Sequence, residues 1–343
     1  MTEKLKKILL IKLSSLGDVI FNIPLAHILK NNEYKVTWLV SEKGFSIVQN
    51  NPCVDEAVLL PVEKWKKSKN IFKNLQECVE ILHRLRKENF DICLDTQMRL
   101  KSLFWTRFCG AKRRIISKSA KEFSVLGGNE YIPEFTHLHA VEKYLEYASY
   151  LGLDTSDIKF SLPKSSEEVV KSVDNLLYGS DHSKPIIMIA PATTWKGKHW
   201  SRALWKKLVE RFDNRYNIIF TGTKNDIELI NYIRDEKHIN LAGKTNLNEL
   251  IELLRRAYLV ISLDSGTTHL ARATEKPKIL SIFCCTPMDF YAPLGAKNKY
   301  LSVQNSVCKP CHHKKCSDRS HPYICTTSPD VESVWMMVKR LLA

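Results

Sequence analysis

Two carboxylates, each placed where an apolar run gives way to a turn rich in Ser and Gly, are the residues best suited to chemistry in this chain. The first is Asp18, in Ile8-Leu9-Leu10-Ile11-Lys12-Leu13-Ser14-Ser15-Leu16-Gly17-Asp18. The short apolar segment reads as a buried strand. Ser14, Ser15 and Gly17 read as a tight turn, and Asp18 falls at or near the cap of the following helix. The second is Asp264, in Ile261-Ser262-Leu263-Asp264-Ser265-Gly266-Thr267-Thr268-His269-Leu270-Ala271. Open α/β sheets bind ligands at such strand ends.

Around Asp264 the residue types suit an anion. Gly266 permits close backbone approach, and the N–H groups opening the next helix can hold a pyrophosphate. Ser265, Thr267 and Thr268 add hydroxyls, with His269 one turn in. An ordinary capped helix with a packed histidine has the same sequence appearance. A third segment, Ile189 to Trp200, offers Thr193, Thr194, Lys196, Lys198 and His199 after a strand. Lysine and hydroxyl donors suit a leaving diphosphate, whose developing charge they neutralise. A fourth, Phe220-Thr221-Gly222-Thr223-Lys224-Asn225-Asp226, ends in a carboxylate able to accept from a ribose or to cap a helix.

The elements that must carry these loops alternate. Strands are expected at residues 8–13, 34–40, 57–60 and 92–95, with helices at 19–30, 71–87 and 140–151. A polar stretch at 155–183 breaks the pattern. It restarts with strands at 185–190, 216–221, 239–241, 259–262 and 278–283 and helices at 202–212, 227–234 and 247–256. Such alternation implies mostly parallel, helix-covered sheets. The expected class is α/β, with two Rossmann-like, doubly wound domains (1–165 and 166–328) facing a central cleft. A last helix within 329–343 is expected to pack back toward the first domain. No Walker A or G-x-G-x-x-G sequence is present.

Apolar residues make up 44% of the 343, enough for two cores. No run approaches ~20 apolar residues, as a spanning helix would need. The first apolar run ends at Lys12 without a small-residue cleavage site, so no signal peptide is expected. Lys and Arg outnumber Asp and Glu 52 to 37, a formal charge of +15. That excess favours anionic partners: nucleic acid, a membrane surface or a phosphorylated substrate. It is concentrated in the first half, where Arg99 to Lys121 contains eight basic residues and no acidic one. Ten cysteines without a secretion signal argue against a disulfide scaffold. Cys308, Cys311, Cys316 and Cys325 are clustered, with His312, His313 and His321 nearby. Their spacing is compatible with a tetrahedral Zn or Fe site, or with packed thiols or a disulfide.

In order along the chain, these segments resemble the bacterial ADP-heptose:lipopolysaccharide heptosyltransferases, glycosyltransferases of the GT-B fold. The resemblance rests on Lys12-Leu13-Ser14-Ser15-Leu16-Gly17-Asp18-Val19, Ala192-Thr193-Thr194 with Lys198-His199-Trp200, Leu241-Ala242-Gly243-Lys244-Thr245, and Asp264-Ser265-Gly266 with His269. It implies that Asp18 is the base that deprotonates an acceptor hydroxyl, with inversion at the heptose. It implies further that Thr193, Thr194 and Lys198 face the donor phosphates, Asp226 the ribose and the backbone at Thr245 the adenine. Asp264, Ser265, Gly266 and His269 would line the diphosphate and heptose of ADP-heptose. No cofactor is expected for the transfer itself.

On the acceptor side, the resemblance implies Kdo-lipid A or inner-core lipopolysaccharide. Leu60 to Lys67 resembles the family's basic acceptor loop and would supply Lys64, Lys66 and Lys67, lysines where arginines are usual. Gln97-Met98-Arg99-Leu100-Lys101-Ser102 resembles Gln-Gly-x-x-Lys-Ser, with Met98 in place of Gly, and supplies Gln97 and Lys101. His139-Ala140-Val141-Glu142-Lys143 resembles His-Ala-Val-Glu-Arg and supplies Lys143. Ser15, Gly17 and Lys121 complete the expected acceptor set. Such an enzyme would work in the cytoplasm, held peripherally on the anionic inner face of the bacterial inner membrane. A protein O-heptosyltransferase of the autotransporter-modifying type, with a four-cysteine metal site, is the alternative enzyme. A basic nucleic-acid-binding protein is the remaining class, but no known module for it appears, and nucleic acid is not an expected partner.

Overall fold

The computed structural model describes residues 5–135, 139–295, 298–302, 311 and 313–343. The chain divides into two compact units, Met1–Pro163 and Lys164–Ala343. In the first, β1 (Lys7–Ile11), α1 (Leu16–Phe21), α2 (Ile23–Asn31), β2 (Lys35–Ser41), α3 (Glu42–Val48) and β3 (Glu56–Leu60) come first. They are followed by α4 (Val62–Lys67), α5 (Ile71–Lys87), β4 (Ile92–Asp95), α6 (Leu100–Phe108), β5 (Arg113–Ser117), β6 (Glu130–Ile132) and α7 (Ala140–Tyr150). The second unit opens with α8 (Glu167–Leu176), β7 (Ile186–Ala190), α9 (Arg202–Val209), β8 (Asn217–Phe220), α10 (Ile227–Ile233) and β9 (Ile239–Asn240). It closes with α11 (Leu247–Arg256), β10 (Ala257–Leu263), α12 (Gly266–Thr274), β11 (Lys278–Phe283), α13 (Met288–Tyr291), β12 (Asn298–Ser302) and α14 (Val331–Leu342).

Each unit is a six-stranded parallel sheet. The orders are β3-β2-β1-β4-β5-β6 and β12-β11-β10-β7-β8-β9. These are the same winding: the chain builds outward from its first strand to one edge, then crosses back to that strand's other side. The reversal falls between β1 and β4 in the first unit and between β7 and β10 in the second. Chains leave those two strands in opposite directions and open a crevice at their carboxyl ends. Ile8 to Ile11 are fully buried, as are Val260, Ile261 and Leu263, because helices cover both sheet faces.

The expected helix at 19–30 is two helices meeting at Asn22. Pro24 lies in the first turn of α2, where its missing N–H does no harm; inside one continuous helix it would have cost a hydrogen bond. Asp18 is the third residue of α1 rather than its cap, which is Ser15. Within the polar stretch at 155–183, α8 folds on α11, with Ser165 and Ser172 donating to Glu252 and Glu249 at 2.8 and 2.5 Å. The short strands β5, β6 and β12 were not expected. The terminal helix is α14, as expected, and it belongs to the second unit. Val334, Val338 and Leu341 of α14 are buried in the second unit's own core, against α9 and β11.

Candidate functional site

In the first unit the chemistry gathers at the β1/β4 crevice. Asp18 Oδ2 accepts from the Ser15 backbone N–H at 3.0 Å and from Ser15 Oγ at 2.8 Å. Its Oδ1 accepts from the Tyr144 hydroxyl at 2.9 Å. Beneath it lies Lys12, which ends the buried strand run. Lys12 Nζ donates to the Thr96 carbonyl at 3.0 Å and to Tyr144 Oη at 2.7 Å, and stands 3.9 Å from Asp18 Oδ1. Desolvation works against ionisation of Asp18. The Lys12 charge and the Ser15 and Tyr144 hydrogen bonds outweigh it and hold the carboxyl below the usual range. Burial lowers the Lys12 ammonium in turn, against the pull of Asp18 and Asp95.

Gln97 is buried, and its side-chain oxygen accepts from both Leu13 N–H and Ser14 N–H at 2.9 Å. Gln97 therefore fixes the turn that carries Asp18. The β4 loop is itself held by buried Asp95, which accepts from the N–H groups of Gln97 and Met98 at 3.0 Å and from Thr106 Oγ1 at 2.7 Å. Met98 is left-handed there, with φ 55°. Lys101 donates to Ser14 Oγ, tying the two loops together. Partial burial lowers the Lys101 ammonium, countered by Asp18, with Lys66 and Arg99 also felt. Burial and neighbouring Lys121 lower Lys143. The structure thus brings Ser15, Gly17, Asp18, Gln97 and Lys101 together, with Lys121 beside Lys143. Among the expected loop lysines, Lys64 is paired with Glu77 at 2.6 Å and Lys66 with Glu63 at 3.3 Å.

In the second unit the matching crevice lies between β7 and β10. Lys198 Nζ donates to Asp264 Oδ2 at 2.6 Å, and Thr286 Oγ1 donates to the same oxygen at 2.7 Å. His269 Nε2 is 3.4 Å from Asp264 Oδ1, and Thr193 Oγ1 donates to the Asp264 carbonyl at 3.3 Å. The Asp264 side chain is 4% exposed and Lys198 17%. Burial would raise Asp264, but the His269 and Lys198 interactions overcome it and hold the carboxyl far below the usual range. Lys198 also lies over the Trp195 ring, 4.8 Å from its centroid. Ser265 Oγ is buried with no hydrogen-bond partner among the described residues, at the start of α12. Thr268, by contrast, is buried and turns its hydroxyl inward to Ser262 Oγ and the Leu263 carbonyl.

Four loops leave adjacent strands in the order β10, β7, β8, β9: those of Asp264–Gly266, Thr193–Lys198, Gly222–Asp226 and Gly243–Thr245. At roughly 4.8 Å per strand the row extends about 14 Å, which suits an extended ligand better than a lone phosphate. Asp226 Oδ2 accepts from Thr223 N–H and Oγ1, both at 2.7 Å, so the residue caps its short helix whatever else it does. Gly243 has φ +69°, and a Cβ there would meet Lys224 Cα at 3.1 Å. Its N–H donates to the Gly222 carbonyl at 2.9 Å, joining the third and fourth loops. Thr194 is exposed and Thr245 half-buried.

Three of the four clustered cysteines, Cys311, Cys316 and Cys325, lie among the described residues. Among the described residues no three His, Cys, Asp or Glu side chains converge as metal ligands. Cys325 is buried and donates to the Gly197 carbonyl at 3.6 Å, Cys316 Sγ accepts from Tyr323 N–H at 3.4 Å, and Cys311 is exposed. Cys308 lies outside the described residues.

Sequence reasoning missed Lys12, Tyr144 and Thr286 as partners of the two carboxylates. The one available signal was a lysine closing a fully apolar strand, since a buried ammonium must find acceptors.

Two parallel Rossmann-like sheets, each with polar loops at its switch point, define the GT-B fold. The Veillonella parvula glycosyl transferase family 9 structure covers 100% of this chain and 98% of its own, with TM-score 0.82 at 20% identity. The E. coli heptosyltransferase WaaC with ADP covers 98% of this chain and 99% of its own, with TM-score 0.74 at 19% identity. In sequence, lipopolysaccharide heptosyltransferase 1 of Pseudomonas aeruginosa is 27% identical over 325 residues, 91% of this chain and 87% of that protein. The family model for glycosyltransferase family 9 (heptosyltransferase) matches residues 78–321. The chain belongs to that family and is a glycosyltransferase.

Proposed function

We propose that the chain transfers L-glycero-D-manno-heptose from ADP-heptose to the Kdo/heptose inner core of lipopolysaccharide, with inversion and with Asp18 as general base. The observation that carries the assignment is the contrast between its two carboxylates. Asp18 is 38% exposed at its side chain, ionised, and reachable by an acceptor hydroxyl. Asp264 is sealed and already saturated by Lys198, Thr286 and His269. A base must touch the proton it removes, so Asp264 is a positioning group for Lys198.

In the proposed step the acceptor hydroxyl passes its proton to Asp18 as its oxygen attacks the anomeric carbon. The bond from that carbon to the diphosphate breaks, and the electron pair leaves with ADP. Lys198 and the N–H groups opening α12, with Ser265, neutralise the leaving charge. A single displacement inverts the configuration. The names of the relatives support donor and acceptor: the P. aeruginosa protein is a lipopolysaccharide heptosyltransferase, and WaaC was solved with ADP. The proposed place of action is the cytoplasmic face of the inner membrane, where a lipid-linked acceptor would lie.

The test is transfer from ADP-heptose to a panel of truncated lipid A acceptors and one polypeptide acceptor, read by mass spectrometry. Asp18→Asn should lower turnover by about 10³-fold with little change in ADP affinity. Near-normal turnover overturns the base, and heptose on the polypeptide alone overturns the acceptor.

A further inference from the structure

Helices α5 and α6 lie side by side on one face of the first sheet. Their inner sides meet the core through Ile81, Leu82, Leu85, Trp105 and Cys109. Their outer sides are also apolar. Ile71, Leu75 and Val79 form one row at i, i+4, i+8, and Leu100, Phe104 and Phe108 form another; all six are exposed. Phe72 is 86% exposed, and Phe123, in the turn packed on α6, is 80% exposed. Among the described residues of the second unit, the exposed large apolar side chains, such as Tyr178 and Met336, are scattered along the chain. Soluble surfaces rarely leave so many large apolar groups together without a partner.

We propose that this face docks on an anionic lipid bilayer. The charge around it selects that occupant. Lys67, Lys69, Lys73, Arg107, Lys118 and Lys121 are exposed and form no salt bridge among the described residues. The acids Glu63, Glu77 and Glu122 are already paired with Lys66, Lys64 and Arg99, which leaves Glu80, bonded by the Gln76 amide, as the one acid of α5 with no salt bridge among the described residues. Aromatic and aliphatic side chains at the acyl boundary, with lysines at the phosphate level, is the arrangement of an interfacial helix. A second copy of the chain would set one cationic rim against another. A nucleic acid would leave the apolar rows uncovered. The surface adjoins the acceptor cluster, since Leu100 is next to Lys101, which bonds Ser14. This extends the lipid-linked acceptor reading, but its test does not use transfer.

The experiment is co-sedimentation of the full chain with vesicles containing phosphatidylglycerol or only phosphatidylcholine, at low and high salt. Binding is expected to the first only, and to weaken with salt. Phe72→Ser with Leu75→Ser, and separately Lys69→Glu with Lys73→Glu, should each weaken binding about ten-fold. Tyr178→Ser should not, and ADP affinity should be unchanged in all. No wild-type binding, equal binding by the variants, or a vesicle-free dimer that Phe72→Ser dissociates would each overturn the proposal. Absent transfer with intact vesicle binding would instead count against the heptose reading.

Discussion

Tyr144 donates its hydroxyl to Asp18 Oδ1 at 2.9 Å while accepting from Lys12 at 2.7 Å. The phenol passes the influence of a buried cation to the proposed base, yet Lys12 itself stays 3.9 Å away. A closer ion pair would occupy the oxygen that an acceptor must reach. Removing the hydroxyl leaves Lys12 one acceptor short in a buried site. Tyr144→Phe should therefore cost about 1.5–3 kcal/mol in urea unfolding. It should also raise the acid limb of the kcat/KM profile, because Asp18 loses a hydrogen bond to its charged form. An unmoved limb would detach Tyr144 from the base.

The pH dependence of stability follows from both carboxylates. Asp18 and Asp264 are depressed in the folded chain, so each binds its proton more weakly than in the unfolded chain. Each contributes stability that is fully present above the unfolded value near 3.9 and lost as pH falls through the folded value. Melting temperature should be insensitive to these groups between about pH 5 and 8 and fall below about pH 4. Asp18→Asn should flatten part of that fall in thermal melts recorded from neutral to acid. A fall of wild-type size in the variant would remove Asp18 as a contributor.

Lys198 and Asp264 form a mostly buried pair, so removing the cation strands a carboxylate with Thr286 and His269 as its remaining partners. Lys198→Ala should destabilise by about 3 kcal/mol and reduce turnover by roughly 10²-fold. Lys198→Arg should recover stability more than turnover, since a guanidinium fits a leaving phosphate differently. Turnover at the wild-type rate in Lys198→Ala would place the lysine outside the reaction.

Met98 occupies a left-handed backbone position, φ 55°, where the family pattern has glycine. Any side chain there crowds the following carbonyl, at about 1 kcal/mol or more. Met98→Gly should thus be more stable than Met98→Ala by about 1 kcal/mol, a comparison in which both variants lose the same thioether. Equal urea midpoints would mean that the loop relaxes to another conformation.

Much of the frame was legible in the sequence. Strands such as Ile8–Ile11 and Val260–Leu263 are buried on both faces, so they read as continuous apolar runs, and the polar loops that follow them mark strand ends. The strands β5 and β6 were not legible: Arg113–Ser117 begins with two arginines, and Glu130–Ile132 is three residues long. Nor was the exposure of α5 and α6, because an amphipathic period does not say whether a helix has more apolar surface than its own sheet can cover.

At the site, the sequence by itself determined which residues stand at the strand ends: Asp18, Lys198 and Asp264. Only the tertiary structure decided what each can do. Tyr144 reaches Asp18 from 126 positions away, Gln97 holds the Leu13–Ser14 backbone from the neighbouring strand, and Thr286 closes over Asp264 from β11's loop. A carboxylate's ionisation and reach depend on the donors and burial around it, and in a parallel sheet those donors come from elements far apart in sequence.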